Sequence, residues 1–328
     1  MRLEDKALID IRRSYSAAIK DTKKEMRSIQ KMIRGLEKQG YTPDVALMML
    51  RQKMNIIADT LDDRLRSWVS DATTITKTGQ LQMAGIANQI QPTLALSSLG
   101  GSPTPTAKIN WNYVPESTIQ NFVGFASDGS PLSTLFSKIP NEAGLAIKDA
   151  ISSGIAMGKN PREVAETIIK ITDDVPLARA NVIARTEMLR AARETSRVSY
   201  SSNDIVTGYT RQATQDERTC LACLALSGTF YKSDEVMPSH PNCRCVMIPK
   251  TKSWAEITGD ESIPDTSVQG LSSDEIIAGL DDSEVRTILG SKRYALWQSG
   301  TPLSEMVSVR DNSRWGPTTI IKPIKDVA

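Results

Sequence analysis

The fold class predicted by the sequence is mainly α, with a smaller α+β domain clamped by a metal ion, and three observations predict it. Apolar residues recur at steps of three and four along the first part of the chain, the period of an amphipathic helix. Aromatic residues make up only 5% of the 328, while the early chain is rich in Ala, Leu, Met, Lys and Glu, which favours helix over sheet there. All four cysteines and the single histidine fall within residues 220–245, a clustering that suits one bound metal.

The first stripe runs Leu8, Ile11, Tyr15, Ala18, Thr22, Met26, Ile29, Ile33 and Leu36. Gly35 weakens its helix and Gly40 ends it. Thr42 then supplies a cap and Pro43 a first-turn residue, so a second helix is expected to restart there and run through Val45, Met49, Ile57, Leu61, Leu65 and Trp68. Together these predict an N-terminal long-helix hairpin or a bundle. An internal seam is the default use of such a stripe; docking onto another chain is the alternative, suggested by helices longer than the usual three or four turns.

The run from Ser97 to Thr106 has turn and linker chemistry without an apolar period. Trp111 and Tyr113 lie in a short extended piece, and helices resume near Pro115 and Pro131. Ile151, Ile155 and Met157 close one helix ahead of Gly158; Asn160, Pro161 and Glu163 form a cap for the next. Pro176 is read as opening a further helix that reaches about Tyr200. Arg185 and Glu187 in that helix are expected to be solvated ion-pair residues, with bracing of the cysteine segment as a second reading. Ile205–Gln212 and Cys245–Pro249 have the β-branched pattern of strands. Ser272 with Glu275 makes a capping box, and a helix from Asp282 to Leu289 is stopped by Gly290. A small helical unit over Arg293–Trp297 and an edge strand over Thr318–Ile321 complete the chain. The expected division is a helical region over 1–97 for docking a partner, a linker over 98–108, a domain over 109–250 that holds the cysteines, and a small α+β extension over 251–328.

Charge nearly cancels, leaving a formal +2, so bulk charge marks neither a nucleic-acid sponge nor an acidic tail. No run approaches the roughly 18 apolar residues of a membrane span. The first residues lack the apolar core of a signal peptide, and the four confined cysteines do not form a framework for a secreted protein. A reducing compartment is therefore expected, with thiols able to hold metal.

Two residues between Cys220 and Cys223 let one tight turn aim both sulfurs at a common point, and His240-Pro241-Asn242-Cys243 repeats that spacing. Cys245 is a fifth donor, expected on the opposite side of an extended chain from Cys243. Four of these five suffice for a structural zinc site: Cys220, Cys223 and His240 with either Cys243 or Cys245. Small core thiols or disulfide pairs are the plainer alternative. Catalysis is disfavoured by the residue types. A zinc deaminase needs His-x-Glu followed by Pro-Cys-x-x-Cys, whereas here Pro241-Asn242 follows the histidine and Thr219 precedes Cys220. One histidine excludes His-Glu-x-x-His, and once it is a ligand no imidazole remains for proton transfer. Asp216, Arg218 and Arg244 are expected to form ion pairs beside the site.

The segment from Thr214 through Asp216, Arg218, Cys220 and Cys223, followed by Leu226-Ser227-Gly228 and then Ser239-His240-Pro241-Asn242-Cys243-Arg244-Cys245, resembles the phage head-morphogenesis family, the Mu F-like minor head proteins. Ala184-Arg185-Thr186-Glu187 and Asn160-Pro161 upstream are also similar to that family, over a span of about Leu145 to Pro249. The resemblance implies a structural minor capsid protein of a tailed-phage virion, inside the head at the portal vertex and in the host cytoplasm during assembly. It implies the portal protein as partner, with major capsid or scaffolding protein and packaged DNA as further partners, and roles in head assembly, DNA packaging or ejection. Two other classes stand beside it. One is an effector enzyme (toxin, nuclease or ADP-ribosyltransferase-like) carried by residues 251–328. The other is a DNA-binding internal head protein, for which residues 1–40 offer 11 Lys or Arg against 6 Asp or Glu.

Overall fold

Twelve α-helices and five strands make up this computed structural model, which describes residues 3–101, 103, 109–157, 159–216 and 218–327. Much of the expected linker, residues 102 and 104–108, and the helix-ending Gly158 lie outside the described residues. The helices α1 (Leu3–Ala18), α2 (Lys20–Lys38) and α3 (Pro43–Ser98) come first, followed by α4 (Glu116–Gln120), α5 (Ser133–Phe136), α6 (Lys138–Ala156) and α7 (Pro161–Ser201). After them the chain alternates β1 (Val206–Gln212), α8 (Leu221–Ala225), β2 (Phe230–Lys232) and β3 (Val246–Thr251). Four short helices, α9 (Trp254–Thr258), α10 (Ser273–Ala278), α11 (Asp282–Leu289) and α12 (Ser291–Gln298), lead to the hairpin β4 (Val307–Asn312) and β5 (Gly316–Ile321). The result is a mainly helical protein with a smaller mixed α+β part that carries the cysteines. Among the described residues no helix is long and apolar enough to cross a membrane.

Two compact units divide the chain, and neither is continuous: 1–79 with 130–187, and 80–129 with 188–328. This division cuts across the expected segments, because α3 and α7 each contribute residues to both units.

In the first unit the apolar stripe does what its period implies. Ile11, Tyr15, Met26, Ile29 and Ile33 are buried, as are Ile57, Leu61, Leu65 and Trp68 of α3, so the stripe is an internal seam over most of its length; Val45 and Met49, expected in it, are exposed, and Ala46, Leu47 and Leu50 are buried in their place. Each fully buried large side chain of this kind contributes about 1.5–3 kcal/mol. Tyr15 meets Trp68 edge-on with centroids 5.0 Å apart, and the Trp68 indole donates to Ser14 Oγ at 2.9 Å. The stripe is carried by two helices rather than one, broken at the fully buried Ile19.

Pro176 does not open a helix; it lies inside α7. A proline there removes the amide that would serve the carbonyl four residues earlier, that of Thr172. The buried Tyr15 hydroxyl donates to that same carbonyl, which restores the missing partner. Likewise α3 extends far past Trp68, with Pro92 inside it.

The second unit is built on an antiparallel sheet of order β2-β1-β3, with Tyr209 paired to Tyr231 on one side and Pro249 on the other. Gly208 is required at its centre, because a Cβ there would lie 2.4 Å from the Tyr231 carbonyl oxygen. Tyr200 on α7 donates to the Met247 carbonyl at 2.9 Å and ties helix to sheet. The core around the sheet joins Trp111, Tyr200, Tyr209, Cys223 and Met247 to Val285, Leu289, Met306 and Val307. Residues beyond 250 therefore share a core with the cysteine segment. The capping box at Ser272 is formed, and two that were not anticipated occur at Ser253 and Asp281.

Candidate metal centre

Two bends bring the donors together. Cys220 is extended at the start of α8, and the Leu224 amide donates to its carbonyl at 3.0 Å, closing the turn that carries Cys223. Burial of Leu221, Ala222, Leu224 and Ala225 anchors this five-residue helix. The second bend is closed by the Cys243 amide on the His240 carbonyl, at 3.0 Å. Asn242 takes a φ of +64°, a left-handed conformation that asparagine tolerates better than most residues.

Cys220 Sγ lies 3.2 Å from His240 Nε2, Cys223 Sγ lies 3.1 Å from the same nitrogen, and Cys223 Sγ is 3.8 Å from Cys243 Sγ. The donors form two triples, Cys220–Cys223–His240 and Cys223–Cys243–Cys245, each with all donor atoms within 4.8 Å and with Cys223 in both. Cys245 does not point away from Cys243. Residues two apart in an extended chain share a face, so the expectation of opposite sides was wrong on elementary grounds. Both sulfurs are buried, and Arg244 between them turns outward to Asp216.

Four ligands at zinc bond lengths place neighbouring donor atoms roughly 3.5–3.8 Å apart, so the observed separations fall within about half an ångström of what one ion requires. His240 Nδ1 lies 2.8 Å from the Pro241 carbonyl oxygen. An oxygen there calls for the proton on Nδ1, which leaves the Nε2 lone pair facing the sulfurs. The four cysteines form no disulfide. This Cys/His cluster can hold a metal ion.

Electrostatics within the cluster are strongly coupled. Hydrogen bonding with Cys223, reinforced by His240, holds the Cys220 thiol down to about 4. Cys243 is also lowered, by hydrogen bonds with Cys223 and Cys245 and by the charges of Arg193 and Arg211. Cys223, hydrogen-bonded to its three sulfur neighbours and buried, is raised instead.

Asp216 and Arg244 form a bidentate pair, with Nη2 to Oδ1 at 2.6 Å, and Arg218 stands 3.8 Å from the same carboxylate. The Arg244 guanidinium holds the Asp216 carboxyl well below the usual carboxylate range. Thr214 Oγ1 donates to the Arg244 carbonyl at 2.9 Å, which fastens the two bends to one another. Arg185 is an ion-pair residue as expected, lying 3.4 Å from Asp5 Oδ1 in the first unit, whereas Glu187, expected to be solvated, is fully buried there. Among the α7 residues that do reach the cysteine segment is Arg193, which donates to the Cys243 carbonyl at 3.0 Å.

Arg211 was not anticipated. It is 0% exposed, with Nη2 at 3.7 Å from Cys223 Sγ and 3.6 Å from Cys243 Sγ, and with Nη1 donating to the Pro238 carbonyl at 2.7 Å. A signal for it was present, because Tyr209, Arg211 and Ala213 have the same parity along the strand and the outer two are apolar. The terminal hairpin also touches this region. Ser239 donates its amide to the Pro317 carbonyl at 3.1 Å, and Thr319 Oγ1 donates to Pro238 at 3.2 Å.

A family model described as Phage Mu protein F like protein matches residues 146–248, a span under a third of the chain that takes in every cysteine and His240. The protein is thus similar, over that span, to a family of phage structural proteins, and the relationship to head-morphogenesis proteins is a distant one. No curated protein and no solved structure matches the chain.

Proposed function

We propose that the protein is a non-catalytic structural component of a tailed-phage head, a minor capsid protein at the portal vertex whose second unit is fastened by a structural zinc ion. The observation that carries this reading is the coincidence of the family match with the cluster: the matched span contains both cysteine bends and their histidine. Cys220, Cys223 and His240 hold the ion, with the fourth position taken from Cys243 or Cys245. Bound zinc supplies cross-linking of two bends that have no other covalent tie. The remaining work belongs to the chain: Asp216 and Arg244 fix one bend against the other, and Pro241 orients the imidazole.

Docking on the portal protein is assigned to the N-terminal helices. Met48, Met49 and Ile56 of α3 are each more than half exposed, an apolar surface that a partner can cover. Residues 251–328 contribute side chains to the core around the cysteines, which supports a structural role for them over that of an independent effector module. Mass spectrometry of purified virions, together with zinc analysis of the reduced full-length protein and capture of the portal protein by it, tests the proposal. Zinc at one equivalent, presence in the virion and portal capture that is lost in a Met48→Asp, Met49→Asp variant are expected. Absence from virions overturns the placement, and a reduced protein free of metal overturns the zinc clamp.

A further inference from the structure

A guanidinium does not lose its charge in a protein, so an arginine with no exposure must find a counter-charge or destabilise its surroundings. Arg211 has none of the usual ones. Its oxygen partners include the Pro238 carbonyl at 2.7 Å, Thr319 Oγ1 at 3.5 Å and the Tyr231 hydroxyl, all neutral, and among the described residues no carboxylate is paired with it. What its other terminal nitrogen faces is sulfur, Cys223 at 3.7 Å and Cys243 at 3.6 Å, within N–H···S range. The other nearby cations are differently placed. Arg193 is only half-buried and is directed to the Cys243 carbonyl, while Arg244 is already neutralised by Asp216.

A divalent ion held by three thiolates and a neutral imidazole carries a net charge of −1, and with four thiolates −2. Either centre, buried as these sulfurs are, needs a cation close by. The reciprocal need is met in one place: Arg211 requires an anion that no carboxylate provides, and the sulfurs that would bind a metal present one.

We propose that Arg211 is the built-in counter-charge of an anionic metal–thiolate centre, a positioning residue that donates to the sulfurs of Cys223 and Cys243 and raises the affinity of the site for a divalent thiophilic ion. The inference rests on reading the cluster as a metal centre. It adds a residue from outside both cysteine bends, on the central strand β1, and links the centre to the terminal hairpin through Thr319.

Full-length wild type and the variants Arg211→Met, Arg211→Gln and Arg211→Lys are purified under reducing conditions. Zinc affinity is read by competition with a chromophoric chelator, and the sulfur-to-metal charge-transfer spectrum is read after cobalt(II) substitution. Loss of charge in R211M is expected to weaken zinc binding about 10–100-fold, the range typical of groups that support metal ligands. It should also shift the cobalt charge-transfer band, because hydrogen bonds to the thiolates are lost. R211Q, which keeps an N–H donor without the charge, serves if R211M does not fold, and is expected to lose affinity by at least tenfold. R211K, which keeps the charge, is expected to stay within about threefold of wild type. Wild-type affinity and spectrum in R211M or R211Q overturn the proposal while leaving the metal centre intact. R211K as weak as R211M also overturns it, since shape rather than charge would then be the requirement. A wild-type protein that binds neither zinc nor cobalt defeats the metal reading itself, and so is distinguishable from failure at Arg211 alone.

Discussion

The two compact units reach stability by different means. In the first, helices of 16 residues and more bury an apolar seam, in which Trp68 and Tyr15 pack edge-on and bond to Ser14 and the Thr172 carbonyl respectively. The second keeps the ends of α3 and α7, but among its described residues no helix that begins after residue 201 exceeds eight residues, too short to persist alone, and the strands are equally short. Capping boxes at Ser253, Ser272 and Asp281 secure individual turns, while the cysteine bends and Arg211 join the pieces. Where elements cannot bury a long stripe, cross-links at fixed points take over, and the two units should therefore fail under different treatments.

The largest effect is expected from Cys223, the donor common to both triples. With zinc bound as proposed, Cys223→Ser should release it and destabilise the second unit by more than about 3 kcal/mol, because metal binding and folding of the two bends are then one equilibrium. Hydrogen exchange should show residues 205–327 losing protection while residues 3–60 keep theirs. Equal loss of protection in both segments would break the contrast between the units. The complementary substitution, Trp68→Ala, is expected to cost about 3–5 kcal/mol in the first unit through the cavity it leaves. Zinc content of that variant, measured by elemental analysis, should equal that of wild type.

Tyr15→Phe sharpens the comparison further. It keeps the ring against Trp68 but removes the hydroxyl that serves the Thr172 carbonyl, leaving a buried acceptor without its donor. The expected cost is about 1–3 kcal/mol, read from the denaturation midpoint, and it should fall on the first unit alone. Pairing Tyr15→Phe with Pro176→Ala tests the cause. Alanine restores an amide for Thr172, so the double variant should recover most of the loss.

These contrasts also explain what the sequence disclosed. The stripe from Ile11 to Ile33 was legible because helical period is a local property, and the capping box at Ser272 because four residues, Ser272 to Glu275, suffice to write one. The cysteine cluster was legible because rare donor types were crowded into 26 residues. Pro176 was misread because proline at a first turn and proline inside a helix have the same local signature. What decides between them is a hydroxyl 157 residues from the carbonyl it serves. Arg211 was missed for a related reason: a charged residue on a strand ordinarily faces water, and its parity with Tyr209 and Ala213 was the one contrary sign. The interleaving of the units through α3 and α7 is a tertiary fact that no window of sequence contains.

The smallest effect belongs to the pair closest to the cysteines that is not itself a donor. Asp216 keeps a side-chain exposure of 23% and Arg244 one of 11%, so solvent screens their bidentate contact in part. Asp216→Asn preserves the shape and one hydrogen bond while removing the charge, and is expected to cost about 1 kcal/mol in a denaturation midpoint, with zinc retained. The modest figure follows from geometry. Arg244 points away from the sulfurs on either side of it, so the pair fastens the bends from outside and does not set the separation of the donors. A loss of zinc in Asp216→Asn comparable to that in Cys223→Ser would show the reverse, that the donors are held at their spacing by this surface pair, and the second unit would then owe its order to an ion pair as much as to the proposed metal.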